Sequence, residues 1–325
     1  MKILITGAAG FIGFHLSRLL ASNGIEVVGI DSLNEYYPVR LKLDRLNELK
    51  QYKSFSFKTI NICDKEALDV LFENERFSTV INLAAQAGVR YSIDKPYKYI
   101  DSNLIGFINV LEACRNNPVK HLIYASSSSV YGNSNDIPFS TNDRTDEPVS
   151  LYAATKKSNE LMAHSYAHLY NIPITGLRFF TVYGPWGRPD MAYFSFTKKI
   201  LKGDKIEVFN EGNMERDFTY IDDIVNAIEK LIDLPFDKNG EQEKPYRLFN
   251  IGNNKPVKLM DFISTLEKHI GKQAIKEFLP MQKGDVYRTY ADISDLEERI
   301  NFTPATSIDR GLKHFIDWYT KYYSG

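Results

Sequence analysis

Tyr152 and Lys156 are the residues of this chain whose types and spacing best suit the movement of a proton. They stand four apart in Tyr152–Tyr170, a stretch patterned as a helix, so they share one face one turn apart. An ammonium beside a phenol favours the phenolate and is expected to draw the tyrosine pKa from its ordinary ~10 toward neutrality. A base tuned in this way can take the proton of a bound alcohol. By itself a Y-x-x-x-K pair means little in a chain with 20 tyrosines. Its setting is more specific, because Ser126-Ser127-Ser128-Ser129 closes a β-like run, His121–Ala125, and leads into Val130-Tyr131-Gly132.

A second constellation lies at the start. Gly7-Ala8-Ala9-Gly10-Phe11-Ile12-Gly13 follows the apolar run Lys2–Thr6 directly and opens a predicted helix, Phe11–Ser22. Glycines there allow a tight turn, close approach of a pyrophosphate and close helix–strand packing, while the helix N-terminus offers N–H groups to phosphate. Asp31 ends the next apolar run, 21 residues beyond Gly10. A carboxylate at that point can accept hydrogen bonds from adenosine ribose hydroxyls and would repel a 2′-phosphate. The expectation is a dinucleotide site that prefers NAD to NADP. A strand-end cap is the plainer role for Asp31.

These groups need a scaffold that gathers strand ends. Apolar runs at Lys2–Thr6, Glu26–Ile30, Ser56–Ile60, Thr79–Leu83, His121–Ala125 and Ile174–Leu177 alternate with helix-like stretches at Phe11–Ser22, Lys65–Glu73, Pro96–Arg115 and Tyr152–Tyr170. Strict alternation implies parallel strands with right-handed crossovers, an α/β, Rossmann-type doubly wound sheet. Beyond about residue 180 the alternation fades. Gly184–Asp190 (GPWGRPD) reads as a loop, and Ala192–Leu201 and Asp222–Leu231 as helices, Asp222 or Asp223 suiting the second one's N-terminus. Residues 1–183 are expected to form the dinucleotide-binding domain, with a strand near 247–252 returning to its sheet. Residues 184–325 would form a smaller α/β substrate-binding region.

Composition bounds the rest. Forty Lys and Arg nearly cancel 41 Asp and Glu over 325 residues, and no basic stripe is present for nucleic acid or a membrane surface. No apolar run approaches the ~20 residues of a membrane helix, and the N-terminus lacks signal-peptide anatomy. Cys63 and Cys114 form no Cys/His cluster, and His164 and His168 read as one helix face, so no metal is expected. A cytoplasmic location is the expectation.

The GxxGxxG spacing, Leu83-Ala84-Ala85-Gln86 at the fourth strand end, the serine run and Tyr152/Lys156 together resemble the extended short-chain dehydrogenase/reductases acting on nucleotide sugars, from Met1 to about Tyr319. The resemblance implies that Ser127 and Tyr152 contact the reacting hydroxyl and that Lys156 also holds the nicotinamide ribose. It implies an NAD site lined by Gly7, Gly10, Phe11, Ile12, Gly13, Asp31, Ile62, Ala84, Asn103 and Phe180. Asn61 stands where many relatives carry an Asp facing the adenine. Arg216 would meet the nucleotide diphosphate, Val208, Phe209 and Asn210 would lie near the uracil, and Asp285, in Gly284-Asp285-Val286-Tyr287-Arg288, would meet phosphate or ribose. Helices Pro96–Arg115 and Tyr152–Tyr170 would pair two copies in a four-helix homodimer interface.

Ser129 departs from the Glu that dehydratases and sugar-acid decarboxylases of this family place there. Serine cannot serve as a second acid/base at neutral pH. The resemblance therefore implies simple C4 epimerisation through a 4-keto sugar, with tightly bound NAD recycled at each turnover. Arg178–Ala192 and Ala87–Ser92 resemble UDP-glucuronate 4-epimerases in particular. A uronate brings a C6 carboxylate, for which Ser128, Ser129, Thr181 and an arginine are the expected donors. Arg188 is the first choice and Arg90 the second, since guanidinium matches carboxylate with paired hydrogen bonds. A loop pair of Arg188 with Asp190, or a structural ion pair for Arg90, are the plainer alternatives. A 4-keto uronate readily loses carbon dioxide, so the site must disfavour that geometry. The rival readings are a 4-epimerase of another UDP-sugar, such as UDP-N-acetylhexosamine, and a non-catalytic NAD-binding regulator, which would be expected to lack Tyr152 or Lys156. Supply of a UDP-sugar for a surface polysaccharide would follow from the substrate.

Overall fold

The computed structural model describes all residues except 135, 239–240, 243, 283–284 and 325. The β-branched runs of the first half form β1 (Lys2–Thr6), β2 (Glu26–Asp31), β3 (Phe55–Thr59), β4 (Thr79–Asn82), β5 (His121–Ser127) and β6 (Ile174–Phe179). Between them lie helices α1 (Phe11–Ser22), α2 (Val39–Leu49), α3 (Lys65–Glu75), the single turns α4 (Tyr91–Asp94) and α5 (Pro96–Tyr99), α6 (Gly106–Asn116) and α7 (Leu151–Tyr170). Side-chain caps start two of these helices: Asp64 accepts from the Ala67 N–H ahead of α3, and Ser150 from the Ala153 N–H ahead of α7.

The central sheet is parallel throughout and runs β12-β6-β5-β4-β1-β2-β3, where β12 (Tyr246–Ile251) joins from the second half beside β6. The chain moves outward from β1 through β2 to β3, then crosses back to β4 and proceeds the other way. A crevice must open between the carboxyl ends of β1 and β4, where the winding reverses. Alternate side chains of each strand face opposite layers. Ile3 and Ile5 of β1 pack with Leu16 and Leu20 of α1, whereas Leu4 packs with Leu71 and Phe72 of α3 and Val110 of α6.

The second half adds β7 (Thr181–Tyr183), α8 (Ala192–Lys202), β8 (Lys205–Phe209), β9 (Glu215–Tyr220), α9 (Ile221–Ile232) and the short β10 (Asp237–Lys238) and β11 (Glu241–Gln242). After β12 come β13 (Pro256–Lys258), α10 (Leu259–Ile270), β14 (Ile275–Leu279), α11 (Ser294–Ile300) and α12 (Ile308–Ser324). Two small sheets, β13-β9-β7 and β14-β8, stand apart from the central one.

Two local expectations need correction. Pro96–Arg115 is not one regular helix: α5 and α6 are joined by a wider π-helical stretch, Ile100–Ile105, whose Asn103 bonds outside the helix (below). Asp222 and Asp223 occupy the first turn of α9 without capping it, and the Asp223 carboxylate accepts instead from the Thr306 N–H. No helix among the described residues is long and apolar enough to cross a membrane.

Candidate active site

A cleft of about 810 Å³ opens at the carboxyl ends of β1 and β4 and runs toward β8 and β9. All the expected site residues line it except Asn103, Val208 and Asn210. Gly284 lies outside the described residues.

At the floor, the three loop glycines pack too closely for side chains. Gly7 adopts φ +72°, and a Cβ there would meet the Ala84 nitrogen at 2.9 Å; one on Gly13 would fall 2.1 Å from the Gly7 oxygen. Helix α1 starts at this loop with no side-chain cap and no acidic residue in its first turn. Its end N–H groups are thus available to an anion. Asp31 closes β2, accepts from the Leu33 N–H at 2.8 Å, and lies 3.8 Å from Lys42 Nζ. Lys42 is buried, donates to Asn34, and had no signal in the sequence beyond its charge. Ile62 and Ala84 present apolar surface beside them. Asn61 keeps its carboxamide oxygen for the Cys63 N–H at 3.0 Å. A bare glycine cradle, a helix N-terminus and a carboxylate at the neighbouring strand end suit a dinucleotide.

Asn103 does not reach this cleft. Its carboxamide is buried, accepts from the Gln86 N–H at 2.8 Å, and donates to the Gln86 carbonyl and the Thr155 hydroxyl at 3.0 Å each. It ties the end of β4 to α7, acting through other residues. The π-helical turn turns it inward.

Tyr152 and Lys156 face the cleft from the first turns of α7, opposite the serines at the end of β5. A buried fork fixes that helix: Glu160, one turn beyond Lys156, accepts from Arg178 at 2.8 and 2.9 Å and from Ser126 at 2.6 Å. Ser127 Oγ donates to Ser129 Oγ at 3.1 Å and accepts from the Ser129 N–H at 3.2 Å. The Lys156 ammonium donates to the Ala125 carbonyl at 2.8 Å, and burial brings its pKa down to about 8. Burial pushes the Tyr152 phenol up, and the groups that draw it partly back are the Ser127 hydroxyl and the Arg188 charge.

Arg188 lines the cleft with its guanidinium forked onto Asp190, Nε to Oδ1 at 3.0 Å and Nη2 to Oδ2 at 2.5 Å. The plainer reading of Arg188, a pair with Asp190, therefore holds alongside its place in the cleft. Arg90 is likewise paired, at 3.0 Å with Asp285, and lies over the Phe209 ring. Arg216 donates to the main-chain carbonyls of Glu215 and Tyr287. Along β8 the side chains alternate: Glu207 and Phe209 face the cleft, while Val208 is fully buried in the core. Of the three residues expected near the uracil, Val208, Phe209 and Asn210, the period of the strand thus leaves Phe209 lining the cleft.

Sequence reasoning did not single out Arg45. It is fully buried on α2 and donates to the Ala9 carbonyl at 2.8 Å, the Tyr37 hydroxyl at 2.7 Å and the carbonyls of Trp186 and Gly187 at 2.6 and 3.2 Å. It joins the glycine loop to the loop that carries Arg188. Only a mid-helix arginine among apolar neighbours marked it. Among the described residues no group of three or more His, Cys, Asp or Glu is placed to hold a metal.

The model of the NAD-dependent epimerase/dehydratase family matches residues 3–252. The chain is 54% identical to Protein CapI of Staphylococcus aureus, covering 99% of each. It is 48% identical to a probable UDP-glucuronate 4-epimerase of Rhizobium meliloti, covering 99% of this chain and 98% of that one. Among solved structures, UDP-glucuronic acid 4-epimerase from Bacillus cereus, in complex with UDP-glucuronic acid and NAD, superposes with a TM-score of 0.91 at 36% identity, over 99% of this chain and 100% of that one.

Proposed function

We propose that this chain, which belongs to the NAD-dependent epimerase/dehydratase family, interconverts UDP-glucuronate and UDP-galacturonate by inverting C4. The observation that carries the reading is the company Tyr152 keeps: Arg188, the hydroxyls of Ser127, Ser128, Ser129 and Thr181, and no carboxylate at position 129. The relatives named for UDP-glucuronate epimerisation support the same substrate.

Gly7, Gly10, Gly13 and the start of α1 would hold the NAD pyrophosphate, Asp31 the adenosine ribose, and Lys156 the nicotinamide ribose. When bound, NAD supplies the acceptor that oxidises C4 and then returns the hydrogen to the other face. Tyr152 Oη, in the phenolate form that the Ser127 hydroxyl and the Arg188 charge favour against burial, would take the C4 hydroxyl proton and give it back, with the Ser127 hydroxyl beside it to hold the reacting oxygen. Arg188, with the serine and threonine hydroxyls, holds the C6 carboxylate. A carboxylate fixed by several donors resists turning into the geometry in which a β-keto acid loses carbon dioxide. Ser129 offers no second acid/base that could divert the 4-keto sugar. Arg216 takes the diphosphate, and Phe209 rather than the Val208 side chain takes the uracil face.

Residues 1–183 with β12 serve the cofactor, and the remainder mainly serves the sugar nucleotide. Exposed apolar side chains on α5 to α7 support a homodimer through these helices: Tyr97 is 80% exposed, Leu161 59% and Leu169 66%. Two free cysteines fit a reducing compartment, the cytoplasm.

The test is incubation of purified protein with UDP-glucuronate and no added cofactor, with products resolved by anion exchange and proton NMR. UDP-galacturonate with little pentose is expected. A UDP-pentose as main product would overturn the argument from Ser129. No reaction with added NAD, but turnover of a UDP-N-acetylhexosamine, would overturn the uronate reading of Arg188.

A further inference from the structure

We infer that Asp190 is a specificity-determining positioning residue: it fixes which edge of the Arg188 guanidinium faces the sugar, and so sets the preference for a uronate. The inference rests on the reading of Arg188 as the carboxylate-binding residue.

A guanidinium has five N–H protons in one plane. The fork onto Asp190 uses the Nε proton and one proton of Nη2, the side-on edge. The end-on edge, made of Nη1 and the second Nη2 proton, stays available for another bidentate carboxylate. One arginine can thus hold Asp190 and a substrate carboxylate together, each on its own edge. Without Asp190, the side chain could rotate and offer either edge from several positions.

Asp190 is itself held. Its Oδ2 accepts from the Tyr36 hydroxyl at 3.1 Å, and the Tyr36 ring packs against Tyr91 with centroids 4.9 Å apart. The Tyr36 hydroxyl sits over Gly88, where a Cβ would stand 2.5 Å from it, at a residue with φ +99°. Gly88 therefore admits Tyr36 for two reasons, space and backbone conformation. Burial pushes the Asp190 carboxyl up, but the Arg188 charge and fork and the Tyr36 hydrogen bond outweigh it and hold the group below its ordinary value. It is an anion at neutral pH. The base of Arg188 is anchored as well, its N–H donating to the Tyr193 hydroxyl at 3.3 Å. Tyr36, seated over Gly88, and Asp190 thus converge on one guanidinium that shares the cleft with Tyr152.

The test uses holoenzyme and measures calorimetric Kd for UDP-glucuronate and UDP-glucose, with the pentose fraction of the UDP-glucuronate products. Asp190→Asn keeps size and removes the charge. It is expected to weaken UDP-glucuronate about tenfold, the loss of one charge-assisted fork, and UDP-glucose far less. The UDP-pentose fraction should rise. In that side reaction the C5–C6 bond of the 4-keto uronate breaks, carbon dioxide leaves, and the electron pair of that bond stays on C5 as the enolate, which takes a proton from water. The UDP-4-keto-pentose so formed leaves as such or would be reduced at C4 by the hydride held on the cofactor to give the UDP-pentose, and both are counted. Tyr36→Phe should shift selectivity the same way by a smaller factor. Arg188→Ala separates the two ideas. Equal loss of both ligands in Arg188→Ala overturns the carboxylate reading, and the role of Asp190 with it. A selective loss in Arg188→Ala with unchanged selectivity in both Asp190→Asn and Tyr36→Phe overturns the role of Asp190 alone. Tighter UDP-glucuronate binding by Asp190→Asn would make Asp190 a competitor, and also overturns it.

Discussion

Gly13→Ala should cost this protein its cofactor, and the size of the loss follows from one contact. The added Cβ would fall 2.1 Å from the Gly7 carbonyl oxygen, 2.8 Å from the Gly7 carbonyl carbon and 3.0 Å from Ala8 Cα. Carbon and oxygen ordinarily approach to about 3.3 Å, so roughly an ångström must be made up by main chain on one side or the other. Both sides belong to the dinucleotide cradle: Gly7 holds the turn after β1, and Gly13 is in the first turn of α1. Overpacking of this kind costs about 1–3 kcal/mol. If the helix start moves away from the pyrophosphate position, the same energy appears as a loss of NAD affinity of roughly 5- to 150-fold. Gly10→Ala meets the same oxygen at 2.9 Å and should lose less. Gly24→Ala is the control, because a Cβ there has nothing within 4 Å, and only its φ of +77° is unfavourable. It should lower stability by about 1–2 kcal/mol and leave NAD alone. The assay is NAD content after purification, calorimetric NAD titration of stripped protein, and Tm. Full NAD affinity in Gly13→Ala, or equal NAD loss in Gly24→Ala, would refute the reasoning.

Three further outcomes are expected. Tyr152→Phe should retain NAD and lose turnover by at least ~10²-fold, read from cofactor content and product formation; full activity would remove the proposed base. His121 is buried, donates through Nδ1–H to the Ile232 carbonyl and accepts from Thr175, and burial pulls its pKa from 6.5 down to about 4. The unfolded chain therefore binds more protons between those values, and this contribution to stability is lost as pH falls from 6.5 toward 4, about 3 kcal/mol in all. His121→Gln should flatten that slope in urea unfolding, and identical slopes would count against a neutral buried imidazole. Arg45→Met strands three main-chain carbonyls and a hydroxyl, and should lower Tm by about 5 °C or more. It should also weaken both NAD and UDP-glucuronate, whereas a loss confined to stability would show that the two loops are not coupled through it.

The fold was legible because burial on both faces of a parallel sheet leaves continuous β-branched runs, and because glycine at Gly7 and Gly13 is dictated by backbone contacts only a missing Cβ permits. Residues that project from strand ends were legible for the same reason: position along a strand determines which end of the sheet they reach. Asn103 and Val208 were misplaced because that logic stops short of side-chain direction. Successive side chains of a strand point to opposite faces, so Val208 and Phe209 differ by a whole face. Asn103 turns inward on a π-helical stretch that the 3.6-residue period of Leu104–Glu112 does not reveal. Sequence placed Lys156 one turn from Tyr152 on a shared helix face, but not the burial of both groups or the Ala125 carbonyl that its ammonium meets.

The pairing of charges in the cleft was half legible, since Asp190 stands two residues from Arg188 while the partner of Arg90 could not be named from sequence. Arg188 and Arg90 each arrive with a carboxylate, Asp190 two residues away and Asp285 on a distant loop. Arg216 gives its Nη1 to two main-chain carbonyls, and the Asp285 carboxylate acts on it through space rather than through a fork. Three unpaired guanidinium groups would attract any anion, phosphate or carboxylate, with little regard to shape. Pairing removes most of that indiscriminate attraction from Arg188 and keeps its directional N–H groups, which reward only a carboxylate in the right plane. UDP-glucose and UDP-glucuronate carry the same diphosphate and differ at C6. On the proposed reading, discrimination between them rests on direction at Arg188 together with the hydroxyls of Ser128, Ser129 and Thr181, while Arg216 would meet the diphosphate that every UDP-sugar shares.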